Sequence, residues 1–304
     1  MSATEYDAAK FHAGLVKHGL IVPVGVPGIF GRNHVFEDVL ERFNTLVTSL
    51  AKDDGAEYFV FPPAIDRKVL EKSDYMDSFP NLAGTVFSFK GKELTARQLS
   101  EAIHAGEPWD GFQSMTDVVL NPAACYPIYP SFSGVVPAEG RLVTMFNWVF
   151  RNEPSLEPTR MQSFRVREFV RCGTAEQVVE WRDMWLKRGL SLLESLGLPV
   201  QAEVASDPFF GKGGKMLATS QKEQQLKFEV LVPVISKDNP TAVCSFNYHQ
   251  EHFGEAFEIR TEDGKVANTA CLGFGLERLV MALFQTHGFD PGAWPSAVRA
   301  KLWP

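Results

Sequence analysis

Strand follows strand through the second half of this chain, and that order constrains its fold most. Leu142 to Phe150 and Ser163 to Arg171 flank a turn segment, Pro154 to Pro158, and read as an antiparallel pair. Phe228 to Ile235 and Ala242 to Phe246 read as two more strands. Glu258 to Arg260 and Val266 to Cys271 bracket Glu262-Asp263-Gly264, where Asp-Gly supplies the positive φ angles of a hairpin turn. One long helix interrupts them, from about Ala175 to Leu196, capped by Thr174 with Gln177 and stopped by Gly197 and Pro199. This is an α+β pattern, an antiparallel sheet flanked by helices, rather than alternating βαβ units. No Walker A or G-x-G-x-x-G loop follows a strand, which disfavours the common nucleotide-binding folds.

The first half carries fewer signals. Phe36, Val39, Leu40, Phe43, Leu46, Val47 and Leu50 recur at helical spacing, so Val35 to Leu50 is a helix with Asn33 at its N-cap. Tyr58 to Phe61 is a short aromatic strand ended by Pro62-Pro63. Thr95 to Gln98 has capping-box spacing and opens a helix to about His104. Near the end, Leu276 to Gln285 is helical, with Gly288 past its end. A chain of 304 residues can bury its core without disulfide staples. Its four cysteines (Cys125, Cys172, Cys244, Cys271) are scattered. With no apolar secretory segment at the start and no apolar stretch long enough for a membrane span, they are reduced thiols or metal ligands, and the default compartment is the cytoplasm. Thirty Lys+Arg against 37 Asp+Glu leave a net charge of −7, which argues against a chain built mainly to grip nucleic acid.

Three local patterns occur in a fixed order. The first is the Val35–Leu50 helix with its proline-ended strand. The second is Phe150-Arg151-Asn152-Glu153, a turn, then Phe164-Arg165-Val166-Arg167-Glu168. The third is Gly273-Phe274-Gly275-Leu276-Glu277-Arg278, opening an apolar helix. Alone, each has a plain reading: an ion pair at a strand end, a core phenylalanine, tight packing of strand on helix. In this order they resemble the three motifs of class II aminoacyl-tRNA synthetases, closest to the seryl-type branch, from about Asn33 onward. Amino-acid activation brings a carboxylate onto the α-phosphate of ATP, so two anions must be held by fixed cations, a task that suits arginine. The resemblance implies that Arg151 grips the α-phosphate and substrate carboxylate and Arg278 the γ-phosphate, as the catalytic pair. It also implies that Glu153 accepts from the adenine amino group, that Phe164 stacks on adenine, and that Arg160 and Met161 touch the nucleotide. Phe228 to Pro233 and Cys244 to Asn247 lie where the seryl enzymes place strands under ATP, and on the latter strand the resemblance implies that Ala242, Val243, Cys244 and Ser245 contact the nucleotide. Those enzymes hold Mg²⁺ with a Glu at the start of the latter strand. Here Thr241-Ala242 stands in its place, leaving Glu229 as the Mg²⁺ ligand. By the same resemblance Cys125, Glu168 and Cys271 hold one Zn²⁺ per subunit, with an open position for the substrate amine that puts Glu168 beside the amino acid. Cys172 and Cys244 are structural. The first-motif helix and strand are the interface of a homodimer.

The resemblance further implies one catalytic domain over residues 1–304, with a helical insertion at about 174–197 and no tRNA-binding domain. That pattern is similar to the amino acid–carrier protein ligases. These form an aminoacyl-adenylate from ATP and a small amino acid, glycine or alanine, and pass the aminoacyl group to the phosphopantetheine thiol of an acyl-carrier-like protein, with no role for tRNA or membrane. Two alternatives stay open: a synthetase charging tRNA by the same chemistry, and a non-catalytic paralogue with a regulatory binding role. The second is disfavoured because Arg151, Glu153 and Arg278 are all present. On the inserted helix, Arg182, Lys187 and Arg188 with Trp181 and Trp185 are candidate contacts for an acidic carrier, or the helix is amphipathic and packs on the sheet.

Overall fold

The computed structural model describes residues 6–211 and 213–304. Its main sheet has seven strands, in the order Gln201–Val204, Lys227–Val232, Thr241–Gln250, Asn268–Gly275, Ser163–Gly173, Arg141–Phe150 and Glu57–Phe59. Neighbours are antiparallel except at the last step, where the edge strand Glu57–Phe59 runs parallel to Arg141–Phe150. The α+β class read from the strand order is the class observed.

The pleat sorts the side chains. Along Ser163–Gly173, Phe169 faces a core of helices while Val170 and Cys172 face a second core on the opposite side. The helix-side core is built by His34–Leu50, Ala175–Ser195 and Leu276–His287, with Phe36, Phe43, Trp185, Phe246, Phe274 and Phe284 sealed from solvent. Burying such a side chain contributes about 1.5–3 kcal/mol, so this layer fixes the sheet from behind. The opposite core gathers around the 3₁₀ run Tyr126–Phe132 and the short helix His252–Ala256, and covers only part of that face.

Local signals set the long helices as anticipated. The Asn33 side chain accepts from Phe36 N at 3.0 Å to start His34–Leu50. Thr174 and Gln177 make a reciprocal capping box, and Gly197, at φ +72°, lets the chain leave Ala175–Ser195. Ala175–Ser195 packs on the sheet as a layer of the main core, with Val178, Trp181, Trp185, Gly189, Leu192 and Leu193 buried, which is the amphipathic alternative read from its sequence.

Other expectations need correction. The helix read from Thr95 begins at Glu93, behind Lys92, so Thr95 lies inside its first turn and caps nothing. The Glu258–Cys271 hairpin reduces to one bridge, Arg260 with Val266. Ile259–Arg260 pairs in parallel with Gly134–Val135, and Asn268–Gly275 joins the main sheet. The aromatic strand ends at Phe59 and the strand after Leu226 ends at Val232, both before the proline that follows. A second sheet of three strands, Ala64–Asp66, Gln113–Leu120 and Thr85–Phe89, had no clear signal because only Ile65 and Val119 in it are buried, too few to mark a period. No helix among the described residues is long and apolar enough to cross a membrane.

Candidate active site

The open part of the sheet face collects the chemistry. Ligand atoms of Cys125, Glu168 and Cys271 lie within 4.8 Å of one another, and all three residues are buried. The pleat explains two of them. Glu168 sits opposite Gly273, two residues from Cys271 on the same face of the neighbouring strand. Cys125 arrives from a loop that Asn147 holds, its Nδ2 donating to Ala124 O at 2.9 Å while its Oδ1 accepts from Phe61 N at 2.9 Å. Cys271 Sγ also receives Asn247 Nδ2 at 3.3 Å and lies 3.5 Å from His249 Nε2. His249 Nδ1 lies 3.0 Å from Thr269 Oγ1, and burial brings its pKa down to about 3, so the ring is neutral.

Three acids share one dry space, and each is pushed toward its neutral form. Burial drives the Cys125 thiol well up. Burial also raises the Glu168 carboxyl, although hydrogen bonds from the two thiols and the charge of Arg151 act the other way. The hydrogen bond from Cys125 favours a Cys271 thiolate, yet burial and the neighbouring Glu168 leave that thiol raised as well. A divalent cation would reverse the balance for all three. Two sulfurs and one carboxylate oxygen are a donor set that suits a borderline-soft metal with an open position.

Beside this cluster two arginines converge. Arg151, at the end of Arg141–Phe150, donates from Nε to Pro122 O at 3.1 Å, with its guanidinium 5.8 Å from the Phe164 ring centroid. Arg278, in the first turn of Leu276–His287, is anchored by Nε to Thr159 O at 2.8 Å and Nη1 to Ala242 O at 3.0 Å. Burial, and then the like charge of Arg151, lower its pKa. Two cations held close to each other mark a place for an anion. Glu153 accepts from Arg160 Nη1 at 3.3 Å on the turn above.

The remaining expected nucleotide contacts divide. Ser245 is half-buried on the site side, opposite Glu229 and Gly273. The Met161, Val243 and Cys244 side chains belong to the helix-side core, and the Met161 sulfur takes Arg32 Nη2 at 3.8 Å. Any nucleotide contact at those three positions runs through the backbone.

Sequence reasoning missed a charged group in the same pocket. Lys227 Nζ pairs with Asp207 and lies 3.2 Å from Glu229 Oε1. Lys227 is opposite Asn247, which is opposite Cys271, so the three form a row across adjacent strands. Asp207 also accepts from Gln221 Nε2 at 2.8 Å. Burial would raise its pKa, but Lys227 and Gln221, with the charge of Arg151, overcome that and hold it low, while its own charge is felt at Lys227, Tyr75, Tyr126 and His249. Its loop is tied across the pocket by Phe209 stacked on Phe79 at 5.3 Å and by Phe210 N donating to Ser78 O at 2.9 Å. The strand residues had a legible signal: Lys227 with Glu229, and Ser245 with Asn247 and His249, recur at every second position in otherwise apolar strands. Asp207, on a loop, had none.

The carrier-docking patch expected on Ala175–Ser195 is corrected. Trp185 is fully buried and Trp181 nearly so, because their helix face packs on the sheet. Arg182 is buried too, paired with Asp183 at 2.8 Å and donating to Gln225 O at 2.9 Å, and Arg188 pairs with Asp54 at 2.7 Å. Of the five residues only Lys187 stands exposed.

Comparison with known proteins gives the family and the fold. Residues 113–287 match the class II core domain of tRNA synthetases for G, H, P, S and T. Amino acid–[acyl-carrier-protein] ligase 1 of Bradyrhizobium diazoefficiens is 44% identical over 281 residues, 92% of this chain and 86% of the relative. Ligase 2 of that organism is 45% identical over 92% of this chain and 84% of the relative. Among solved structures, M. kandleri seryl-tRNA synthetase in complex with A. aeolicus tRNASec superimposes with a TM-score of 0.82 at 21% identity, over 99% of this chain and 62% of that one.

Proposed function

Because this chain belongs to the class II tRNA synthetase core family, and within it to the amino acid–[acyl-carrier-protein] ligases, we propose that it activates a small amino acid with ATP and transfers it to a carrier protein. The observation that carries this reading is the convergence of Arg151 and Arg278 beside the Cys125, Glu168 and Cys271 cluster on one sheet face.

In the first half-reaction Arg151 draws the substrate carboxylate and the α-phosphate together, offsetting the repulsion between two anions. A carboxylate oxygen bonds to the α-phosphorus, the bond from that phosphorus to the bridging oxygen breaks, and pyrophosphate leaves against Arg278. Phe164 and Glu153 hold the adenine, and Glu229 would be the protein ligand of the Mg²⁺ that accompanies the phosphates. Cys125, Glu168 and Cys271 would hold Zn²⁺, which supplies a Lewis-acidic position for the substrate amine. The Lys227–Asp207 pair walls the space beside Asn247, which favours glycine or alanine over larger side chains. In the second half-reaction the phosphopantetheine sulfur bonds to the activated carbonyl carbon, its proton is lost, and AMP leaves. A net charge of −7 gives little hold on a tRNA polyanion, so the thiol of a carrier is the acceptor.

ATP–pyrophosphate exchange with each of the twenty amino acids tests the activation step. Glycine or alanine should support exchange without tRNA, and Arg278→Ala should lower it about 10²–10³-fold. A folded, zinc-loaded protein that exchanges with no amino acid would refute the reading.

A further inference from the structure

Beside the cysteine cluster one strand breaks its own register. Thr241–Gln250 pairs residue for residue with Asn268–Gly275 from Cys244 to Tyr248, and then Gln250, rather than His249, stands opposite Thr269. His249 is the extra residue of a bulge, and Gln250 closes it at φ +53°, in the left-handed region that a glutamine enters only at a cost. The distortion aims the His249 ring between two side chains of the facing strand. Nδ1 lies 3.0 Å from Thr269 Oγ1, and Nε2 lies 3.5 Å from Cys271 Sγ. The rings of Tyr129 and Phe253 meet the imidazole at 89° and 79°, with centroids 6.5 and 4.9 Å away, and hold it there. Thr269 is sealed from solvent.

The direction of these bonds follows from the sulfur. A cysteine sulfur bound to a metal is a thiolate, which only accepts. In the neutral ring Nε2 must then carry the proton and donate, Nδ1 must accept, and the Thr269 hydroxyl must donate to it. We propose that Thr269 and His249 form a positioning relay behind Cys271, an inference that rests on the reading of Cys125, Glu168 and Cys271 as zinc ligands. Two thiolates and one carboxylate around a divalent cation leave one net negative charge in a buried space, and donors to sulfur spread that charge. Asn247 Nδ2, at 3.3 Å, supplies one donor to Cys271, and His249 supplies the second. The relay fixes the orientation of the sulfur. It also draws electron density away from Cys271, which keeps the open position acidic toward the substrate amine. A histidine that merely filled the core would need neither the Thr269 hydroxyl nor the bulge.

Metal affinity and cobalt spectra test the relay, with the metal itself as the probe. The wild type, His249→Phe, Thr269→Val and Thr269→Ser are loaded with Zn²⁺ for chelator competition at one pH, and with Co²⁺ for absorption spectra. His249→Phe keeps the packing of the ring without its donor. Thr269→Val keeps the shape of a residue outside the ligand set and frees the imidazole to take its other tautomer. Both should hold zinc about 10- to 100-fold more weakly. In both, the sulfur-to-cobalt charge-transfer band should move to lower energy, because a sulfur stripped of a donor gives up an electron more readily. Thr269→Ser retains the hydroxyl and should match the wild type in both readouts. Wild-type affinity or an unmoved band in Thr269→Val overturns the relay and leaves the zinc ligands standing, since weaker binding with an unmoved band is what a loosened core would give. So does a Thr269→Ser protein that behaves like Thr269→Val. A wild type that takes up neither metal refutes the ligand reading, and the relay with it.

Discussion

Arg165 joins all three sequence motifs. Its backbone N and its Nε donate to Glu277 at 2.7 and 2.8 Å, and its two terminal nitrogens donate to Glu37 at 2.6 and 2.7 Å. Arg32 adds a fourth charge, 3.6 Å from Glu277, which is wholly buried. Removing one member of such a group strands the others, so Glu277→Ala should destabilise the fold by about 3–5 kcal/mol, read as a lower urea midpoint. A midpoint within experimental error of the wild type would show the group to be dispensable. The cysteine cluster makes a second prediction at this scale. Cys125, Glu168 and Cys271 all have raised pKa values, and a metal binds their deprotonated forms, so affinity must rise with pH. Chelator competition should show zinc held about tenfold more tightly per pH unit for each ligand still protonated, hence about 100-fold while both thiols carry their protons and Glu168 does not. Cys271→Ser should lose most of the bound metal. A pH-independent affinity, or full zinc content in Cys271→Ser, would remove the cluster from that role.

Long elements with a repeating apolar face were legible because their signal is summed over many residues. His34–Leu50 and Ala175–Ser195 start and stop at caps written in Asn33, Thr174, Gln177 and Gly197. Strands of three residues, such as Ala64–Asp66, are too short to show a period, and the long-range pairing that defines them leaves no local trace. The same division holds in the pocket. Arg151, Arg278, Glu168 and Cys271 sit in motifs or regular strands, whereas Asp207 is brought in by a loop closed through Phe79, 130 residues away by its neighbour Phe209. Element exposure also carries the oligomer reading. Tyr58 and Val60, on and just after the edge strand Glu57–Phe59, are 56% and 64% exposed beside the apolar first-motif helix. An isologous contact there would cover them and the free strand edge. Light scattering at micromolar concentration should give twice the 33.9 kDa chain mass, and a single-chain mass would refute the dimer.

At the scale of the whole molecule, the sheet works as a plate with two differently furnished sides. Helices seal one side. The other draws together residues 125, 151, 168, 207, 227, 271 and 278 from across the chain. None of these groups makes a site alone: in the proposed reading the arginines take the phosphates, the cysteines and Glu168 suit a metal, and the Lys227–Asp207 pair bounds the space for the amino acid. The aminoacyl group made in such a pocket needs an acceptor that can reach it, and a thiol on a long flexible arm meets that demand better than a folded polyanion facing an acidic chain. The most direct test follows the label. The protein is incubated with ATP, Mg²⁺ and radiolabelled glycine or alanine, together with holo carrier protein, apo carrier protein or bulk tRNA. Label should appear as a hydroxylamine-labile thioester on the holo carrier alone. Label on tRNA with none on any holo carrier would contradict the account.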